Sequence, residues 1–241
     1  MFVALPGLAI VAIFLAAALG PAIVLMRYIY RKDGVEHEPK DLLWRLVLRG
    51  VVAALLSIVL EVIAQKILDM TQISPSSPVY VILLAFFVVA AVEEGTKYLL
   101  MHGKVWRHPS FNYRFDAIVY SAFVSLGFAA FENLQYVRSY GLSVAFPRAV
   151  LAVPGHLGFS VLFGYFYGRA KMASKAGDHR GCVQNIVLGY VSAVCMHGFY
   201  DACAMMGTGL STLVFLAFVV IMYIVILRLI RNESATDAPI E

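Results

Sequence analysis

Seven apolar runs dictate what this chain can fold into. They cover roughly residues 2–26, 46–65, 79–101, 117–137, 147–168, 185–206 and 210–230. Each approaches the 20 or so residues that a helix needs to cross the hydrocarbon of a bilayer. Soluble domains carry about 45–50% apolar and 25% charged residues, whereas this chain carries 61% and 14%. So little polar surface excludes a soluble enzyme, a disordered tail protein and a nucleic-acid module. The runs do not alternate apolar with polar residues, as β-barrel strands do. The expected fold is therefore all-α: a polytopic bundle of about seven transmembrane helices over residues 1–231, with a polar, disordered tail at 232–241. No internal repeat is visible.

Basic residues give an orientation. Loops after the first, third, fifth and seventh runs hold Arg27, Arg31, Lys32, Lys40, Arg45, Lys104, Arg107, Arg114, Arg169, Lys171, Lys175, Arg180, Arg228 and Arg231. The opposite side has only Lys66, Arg138 and Arg148. This asymmetry predicts an outside N-terminus and a cytoplasmic C-terminus in a multi-pass cell-membrane protein. The first run is not expected to be a cleavable signal peptide, because its charges follow it. The net charge of +4 does not imply a nucleic-acid partner, since the basic residues sit in short loops. Residues 27–45 look amphipathic and interfacial, with Tyr28, Tyr30 and Trp44 at headgroup level. Cys182, Cys195 and Cys203 have no disulfide or zinc-ribbon spacing and read as apolar filler.

The informative residues are polar groups inside the runs. AAVEEGTKYLL carries Glu93, Glu94 and Lys97; GFAAFENLQY carries Glu132 and Asn133; VPGHLGFS carries His156; CMHGFYDAC carries His197 and Asp201. Each ion at a helix centre costs on the order of 2.5–3.5 kcal/mol. Five charged side chains would cost roughly 12–17 kcal/mol, as much as the whole stability of a typical domain, about 5–15 kcal/mol. They must therefore meet one another or water inside the bundle.

Glu93 and Lys97 are i, i+4 neighbours, as are His197 and Asp201, so each pair shares a helix face. At about 1.5 Å rise per residue, Glu93 lies roughly 12–16 Å from the inner loops, and His156 and His197 roughly 18–20 Å. Glu132 falls between about 18 and 24 Å, depending on where its helix begins. With neutral histidines, Glu93, Glu94, Glu132, Asp201 and Lys97 sum to −3. Crowded like charges do not all stay ionised in low dielectric. Either carboxyls hold protons or a divalent cation sits among them. Two imidazoles plus carboxylates are a ligand set used by catalytic zinc, with a position left for water. A neighbouring glutamate then serves as general base, which is the chemistry of amide hydrolysis.

At these residues the chain resembles the PrsW family of intramembrane proteases, relatives of the CAAX prenyl endopeptidase and bacteriocin-processing superfamily. The resemblance spans roughly residues 20 to 205. It includes GPAIVLMRYIYRKDGVEHEP, with Pro21, Tyr28, Tyr30, Asp33, Glu38 and Pro39. It continues through EExxK (Glu93, Glu94, Lys97), FxxxE (Phe128, Glu132), His156 and HxxxD (His197, Asp201). In the wider superfamily a histidine stands where Glu132 is, and an asparagine where Asp201 is.

The resemblance implies cleavage of a membrane-anchored protein, in known cases an anti-sigma factor, as the first cut of regulated proteolysis. It implies Glu93, Glu94, His156, His197 and Asp201 as catalytic residues. In that reading Glu93 or Glu94 activates water, and the histidines bind metal or polarise water and carbonyl. Glu132, His156 and His197 are the expected metal ligands, for Zn2+ if a metal is used; a glutamate-type mechanism without metal is the alternative. Asp201 either orients His197 or ligates.

Other polar residues have simpler readings. Lys97 is expected to neutralise Glu93 or Glu94, and Asn133 and Gln135 to bond between helices. Glu61 is expected to reach the interface, and Gly164 and Gly168 to mark close helix packing. Pro154 and Gly155 are expected to kink a helix. Two other functions would also concentrate such groups: a transporter of metal ions or protons and a non-catalytic scaffold. No paired broken helices favour the transporter. The loops near Ser74–Pro78 and Gly207–Gly209 are the candidate sides for substrate entry.

Overall fold

The computed structural model describes residues 7–240 and is helical. The part of the first apolar run at 2–6 lies outside the described residues. Helices α1 (Gly7–Lys32) and α2 (Lys40–Asp69) are the first two spans. The third span joins α3 (Pro78–Leu83), a π-helical stretch (Leu84–Ala90) and α4 (Ala91–Val105). The fourth is α5 (Asp116–Tyr140). The fifth joins a 3-10 turn (Leu142–Val144), α6 (Ala145–Val150) and α7 (Ala152–Lys175). Helices α8 (His179–Met206) and α9 (Gly209–Ala235) complete seven helical segments long and apolar enough to cross a membrane. Every apolar run thus becomes one span, extended at its ends by polar residues that apolarity alone does not capture.

Helix α5 is the hub. Of its most apolar window 78% is buried, against 11% for α1, and it packs on α1, α2 and α7. Small residues set the approach. A Cβ on Gly164 would lie 2.5 Å from Ser121 Oγ and 2.7 Å from Ile118 Cα, and one on Gly168 would lie 2.6 Å from the Arg114 carbonyl oxygen. These two glycines therefore seat α7 on α5, as their spacing predicts. Ser121 and Ser125 donate to the Ser160 and His156 carbonyls at 2.8 and 2.9 Å. Those bonds fix the depth of α7 against the hub. Large apolar side chains on α2 and α9, such as Ile63, Leu213 and Ile221, stay exposed, as lipid-facing residues should.

Three expectations change. Residues 27–45 are not one long loop: α1 runs to Lys32 and α2 begins at Lys40, leaving a short turn whose Asp33 and Glu38 are buried at 1% and 3% exposure. Residues 232–235 continue α9, and residues 236–240 dock on the 112–115 loop through Arg114 N–H to Ala238 O (3.0 Å) and Ile240 N–H to Asn112 O (2.7 Å), while Glu241 lies outside the described residues. The Phe115 N–H also donates to Asp237 Oδ1 at 2.9 Å. Hydrogen-bond donors left free by the loop explain why this polar stretch docks. Pro154 sits in the first turn of α7, where a missing N–H costs nothing. The helix is interrupted before it, at Leu151 between α6 and α7.

The turn at 33–39 carries a pH dependence. Burial raises the Asp33 carboxyl to about 6 and the Glu38 carboxyl to about 7. Carboxyls raised in the fold contribute stability that is complete below the unfolded range near pH 4 and is lost as pH climbs through the folded values. Thermal midpoints in detergent are expected to fall between about pH 4 and about pH 7. Asp33→Asn with Glu38→Gln should flatten that slope, and an unchanged slope in the double variant would contradict the assignment.

Candidate active site

The π-helical stretch at Leu84–Ala90 delivers Glu93 and Glu94 into the bundle. Its wider turns shift the phase of the helix that follows, a feature that recurs at functional sites. Gly198 lets α8 come against it, since a Cβ there would lie 2.6 Å from the Phe86 ring and 3.0 Å from Phe86 Cα. The Tyr190 hydroxyl donates to the Ala91 carbonyl at 2.8 Å, and Ser57 bonds Thr96 at 2.8 Å. Helix α4 is thereby clamped between α8 and α2. Neither the π stretch nor the Gly198 contact is legible in an apolar run.

The polar groups of four spans then join in one network. Lys97 Nζ donates to Glu93 Oε2 (3.0 Å) and Glu94 Oε1 (2.8 Å), and lies 3.2 Å from His156 Nδ1. It also sits 4.0 Å from the centroid of the Phe128 ring, so its whole charge is matched by protein groups. An ammonium facing Nδ1 makes that nitrogen the acceptor, which leaves His156 Nε2–H to donate to Glu132 Oε2 at 2.9 Å. His197 faces carboxylates on both sides, Glu94 Oε1 at 2.9 Å through Nδ1 and Asp201 Oδ2 at 3.3 Å through Nε2. Either this ring donates twice and is cationic, or one carboxyl carries the proton. The two imidazoles are 5.5 Å apart, centroid to centroid, and Phe159 stacks on His197 at 4.6 Å.

All the predicted site residues therefore meet: Glu93, Glu94, Glu132, His156, His197 and Asp201, with Lys97 as the expected neutralising cation. Asn133 bonds between helices as expected, donating to Ala18 O at 2.7 Å and accepting from Arg148 Nε at 2.9 Å. Two residues were misplaced by sequence reasoning. Arg148, counted among the basic residues of the outer side, pairs with Glu132 at 2.8 Å and lies 3.8 Å from the centroid of the Tyr136 ring. Glu61, assigned to the interface, is half-buried in the wall of the cavity.

That cavity has a volume of about 650 Å³. Glu93, Glu132, His156, His197 and Asp201 face it, while Glu94 lies behind them. Its lining continues through Glu61, Gln135, Tyr136 and Met205, toward the helix ends opposite the basic loops. The atoms that converge best for a cation are those of Glu93, Glu94 and His156, mutually within 4.8 Å. Two carboxylates and an imidazole are a donor set that catalytic zinc accepts, and Glu132 holds the far nitrogen of His156 as carboxylates do for ligating histidines. Lys97 approaches one oxygen or nitrogen of each of the three, so an ion entering there requires the ammonium to withdraw.

A family model described as PrsW family intramembrane metalloprotease matches residues 38–229, most of the chain. The chain belongs to the PrsW family of intramembrane proteases. It is similar to "Protease PrsW" of Oceanobacillus iheyensis, 31% identical over 220 residues, covering 91% of this chain and 95% of that one. The PrsW protease of Geobacillus kaustophilus is 34% identical over 189 residues, 78% of this chain and 77% of its own. That of Bacillus subtilis is 30% identical over 187 residues, 78% and 80% of the two chains. No solved structure matches the chain. PrsW membership makes the chain a multi-pass membrane peptidase whose substrate is a protein in the membrane, and the matched span contains every cavity-facing residue named above.

Proposed function

We propose that the chain is an endopeptidase that hydrolyses a peptide bond of a membrane-anchored protein by glutamate-activated water. The observation that carries this reading is the position of Glu93. It alone of the EExxK pair faces the cavity, while Lys97 and the π stretch hold it in place. Glu93 takes a proton from water as the water oxygen bonds to the carbonyl carbon. The C–N bond then breaks as the proton passes to the leaving nitrogen, and transfer of the remaining water proton gives a carboxylate and an ammonium. His197 is held between Glu94 and Asp201, and donates to the carbonyl oxygen or the leaving nitrogen by exchanging its longer Nε2 contact with Asp201. His156 is oriented by Glu132 and Lys97, and Glu132 by Arg148. Glu94 and Asp201 position His197 rather than attack.

If a divalent ion such as Zn2+ takes part, Glu93, Glu94 and His156 are the residues that would hold it. It would supply Lewis acidity toward water and carbonyl. Glu132 and His197 then act through the hydrogen bonds described above.

The cavity opens away from the basic loops. With those loops cytoplasmic, the cut falls in the extracytoplasmic half of the cell membrane. An anti-sigma factor or a similar single-span regulator fits that geometry.

The purified protein in lipid nanodiscs, given single-span reporter proteins, is expected to release two fragments. A chelator should lower the rate if the ion is required and leave it unchanged if Glu93 and His197 suffice. Intact reporter under every condition, together with ion flux in liposomes, would replace this reading with a transporter.

A further inference from the structure

The acids that face the cavity are not equally matched. Glu93 pairs with Lys97, Glu132 with Arg148 and His156, and Asp201 with His197. Among the described residues, Glu61 is the one cavity acid without an ion pair or a hydrogen bond. With neutral histidines, Glu61, Glu93, Glu94, Glu132, Asp201, Lys97 and Arg148 leave a net charge of −3. A half-buried carboxylate at this depth needs a partner.

A second opening meets the cavity at Glu61. A groove of about 490 Å³ runs between α2 and the third span, lined by Val62, Gln65, Lys66, Asp69, Leu84 and Val88, with Lys66 one helical turn beyond Glu61 toward the Asp69 end. It shares Ile58, Glu61 and Val89 with the catalytic cavity. Its lips, Ile58 and Val62, are about half exposed, at 47% and 52%, so the groove is open from the lipid side. From Ile58 to Asp69 the rise along α2 is about 16 Å, the length of roughly five residues of extended peptide. A helix has its carbonyls bonded internally and must unwind before water attacks. An elongated trough beside the catalytic groups accommodates a strand better than a helix about 10 Å across.

Building on the protease reading, we propose that this groove receives an unwound, extended segment of the substrate. In that position Glu61 binds a lysine or arginine side chain flanking the scissile bond. Glu61 is thus a specificity-determining residue that selects a cationic substrate position by charge, whereas Glu93 does the chemistry.

The test uses the full chain in nanodiscs and a single-span reporter whose cut site has been mapped by mass spectrometry. The residues flanking the cut are then changed in turn to Lys, Gln and Glu. Wild type is expected to favour the Lys reporter over the Glu reporter by at least about tenfold in kcat/KM, with the difference in KM; tenfold is one modest charge interaction. Glu61→Gln should erase the preference. Glu61→Lys should reverse it toward the Glu reporter, a charge-swap rescue that a merely structural residue would not give. A photo-crosslinker at Val62 in a Glu93→Gln background should capture uncleaved reporter.

Reporters cleaved with the same ranking by all three proteins would overturn the inference and leave the protease standing. Capture of lipid alone at Val62, with reporter present, would overturn the groove assignment. Failure of wild type to cut any reporter would remove the protease reading and this inference with it.

Discussion

Glu93→Gln is expected to lower the cleavage rate of a membrane-anchored reporter by about 10²–10⁴-fold, the usual contribution of a general base, while the protein stays folded and inserted. The amide keeps the shape of the side chain but cannot take a proton from water. Folding should survive because Lys97 retains Glu94 at 2.8 Å and the Phe128 ring at 4.0 Å. Glu94→Gln provides the contrast. It removes the negative charge that Lys97 and His197 share at Glu94 Oε1, so both buried groups lose an ionic partner, and breaking such pairs costs about 3–5 kcal/mol. The first variant should purify normally and be inactive; the second should also lose folded yield. Equal yields with equal activities would mean that the two glutamates are not divided between chemistry and support.

The second large effect concerns the fold. Helices α2 and α5 cross at reciprocal glycines. A Cβ on Gly50 would lie 2.0 Å from the Val124 carbonyl oxygen and 2.7 Å from Phe128 N, and one on Gly127 would lie 2.3 Å from the Val47 carbonyl oxygen. All of these are backbone atoms, so no side-chain rotation relieves the clash and the helices must separate. Gly50→Val or Gly127→Val should therefore cost at least about 3 kcal/mol, the upper part of the range for overpacking. Separation would carry Phe128 away from Lys97 and widen the cavity. Gly103→Ala, with nothing within 4 Å of the added carbon, serves as the control. Thermal midpoints in detergent give the comparison, and a Gly50→Val protein as stable as Gly103→Ala would contradict the crossing.

Much of this was legible in the sequence because lipid imposes one dominant rule. Each apolar run had to become a span, and charges within runs had to turn inward. Glu93, Lys97, His197 and Asp201 were readable together because i, i+4 spacing fixes a shared face. What escaped was helix phase and the interruption at Leu151. The π stretch at Leu84–Ala90 rotates Glu93 into the cavity and Glu94 behind it, and no hydropathy window carries that distinction. Arg148 reads as an outer-side basic residue because it stands at the very start of its apolar run, in a helix only six residues long. Glu61 reads as interfacial because it sits near the outer end of the second apolar run; the cavity and the groove beside it show otherwise. The tail reads as disordered because composition says nothing about the N–H groups of Arg114 and Phe115 and the Asn112 carbonyl that receive it.

Product analysis in heavy-oxygen water tests the central claim most directly. Purified wild-type protein and Glu93→Gln are incubated in nanodiscs with a single-span reporter, and the fragments are weighed. The account predicts one internal cut by wild type, a heavy oxygen in the new carboxyl terminus, and neither with Glu93→Gln. An intact reporter with wild-type protein, or labelled fragments at equal rate from the variant, would contradict it.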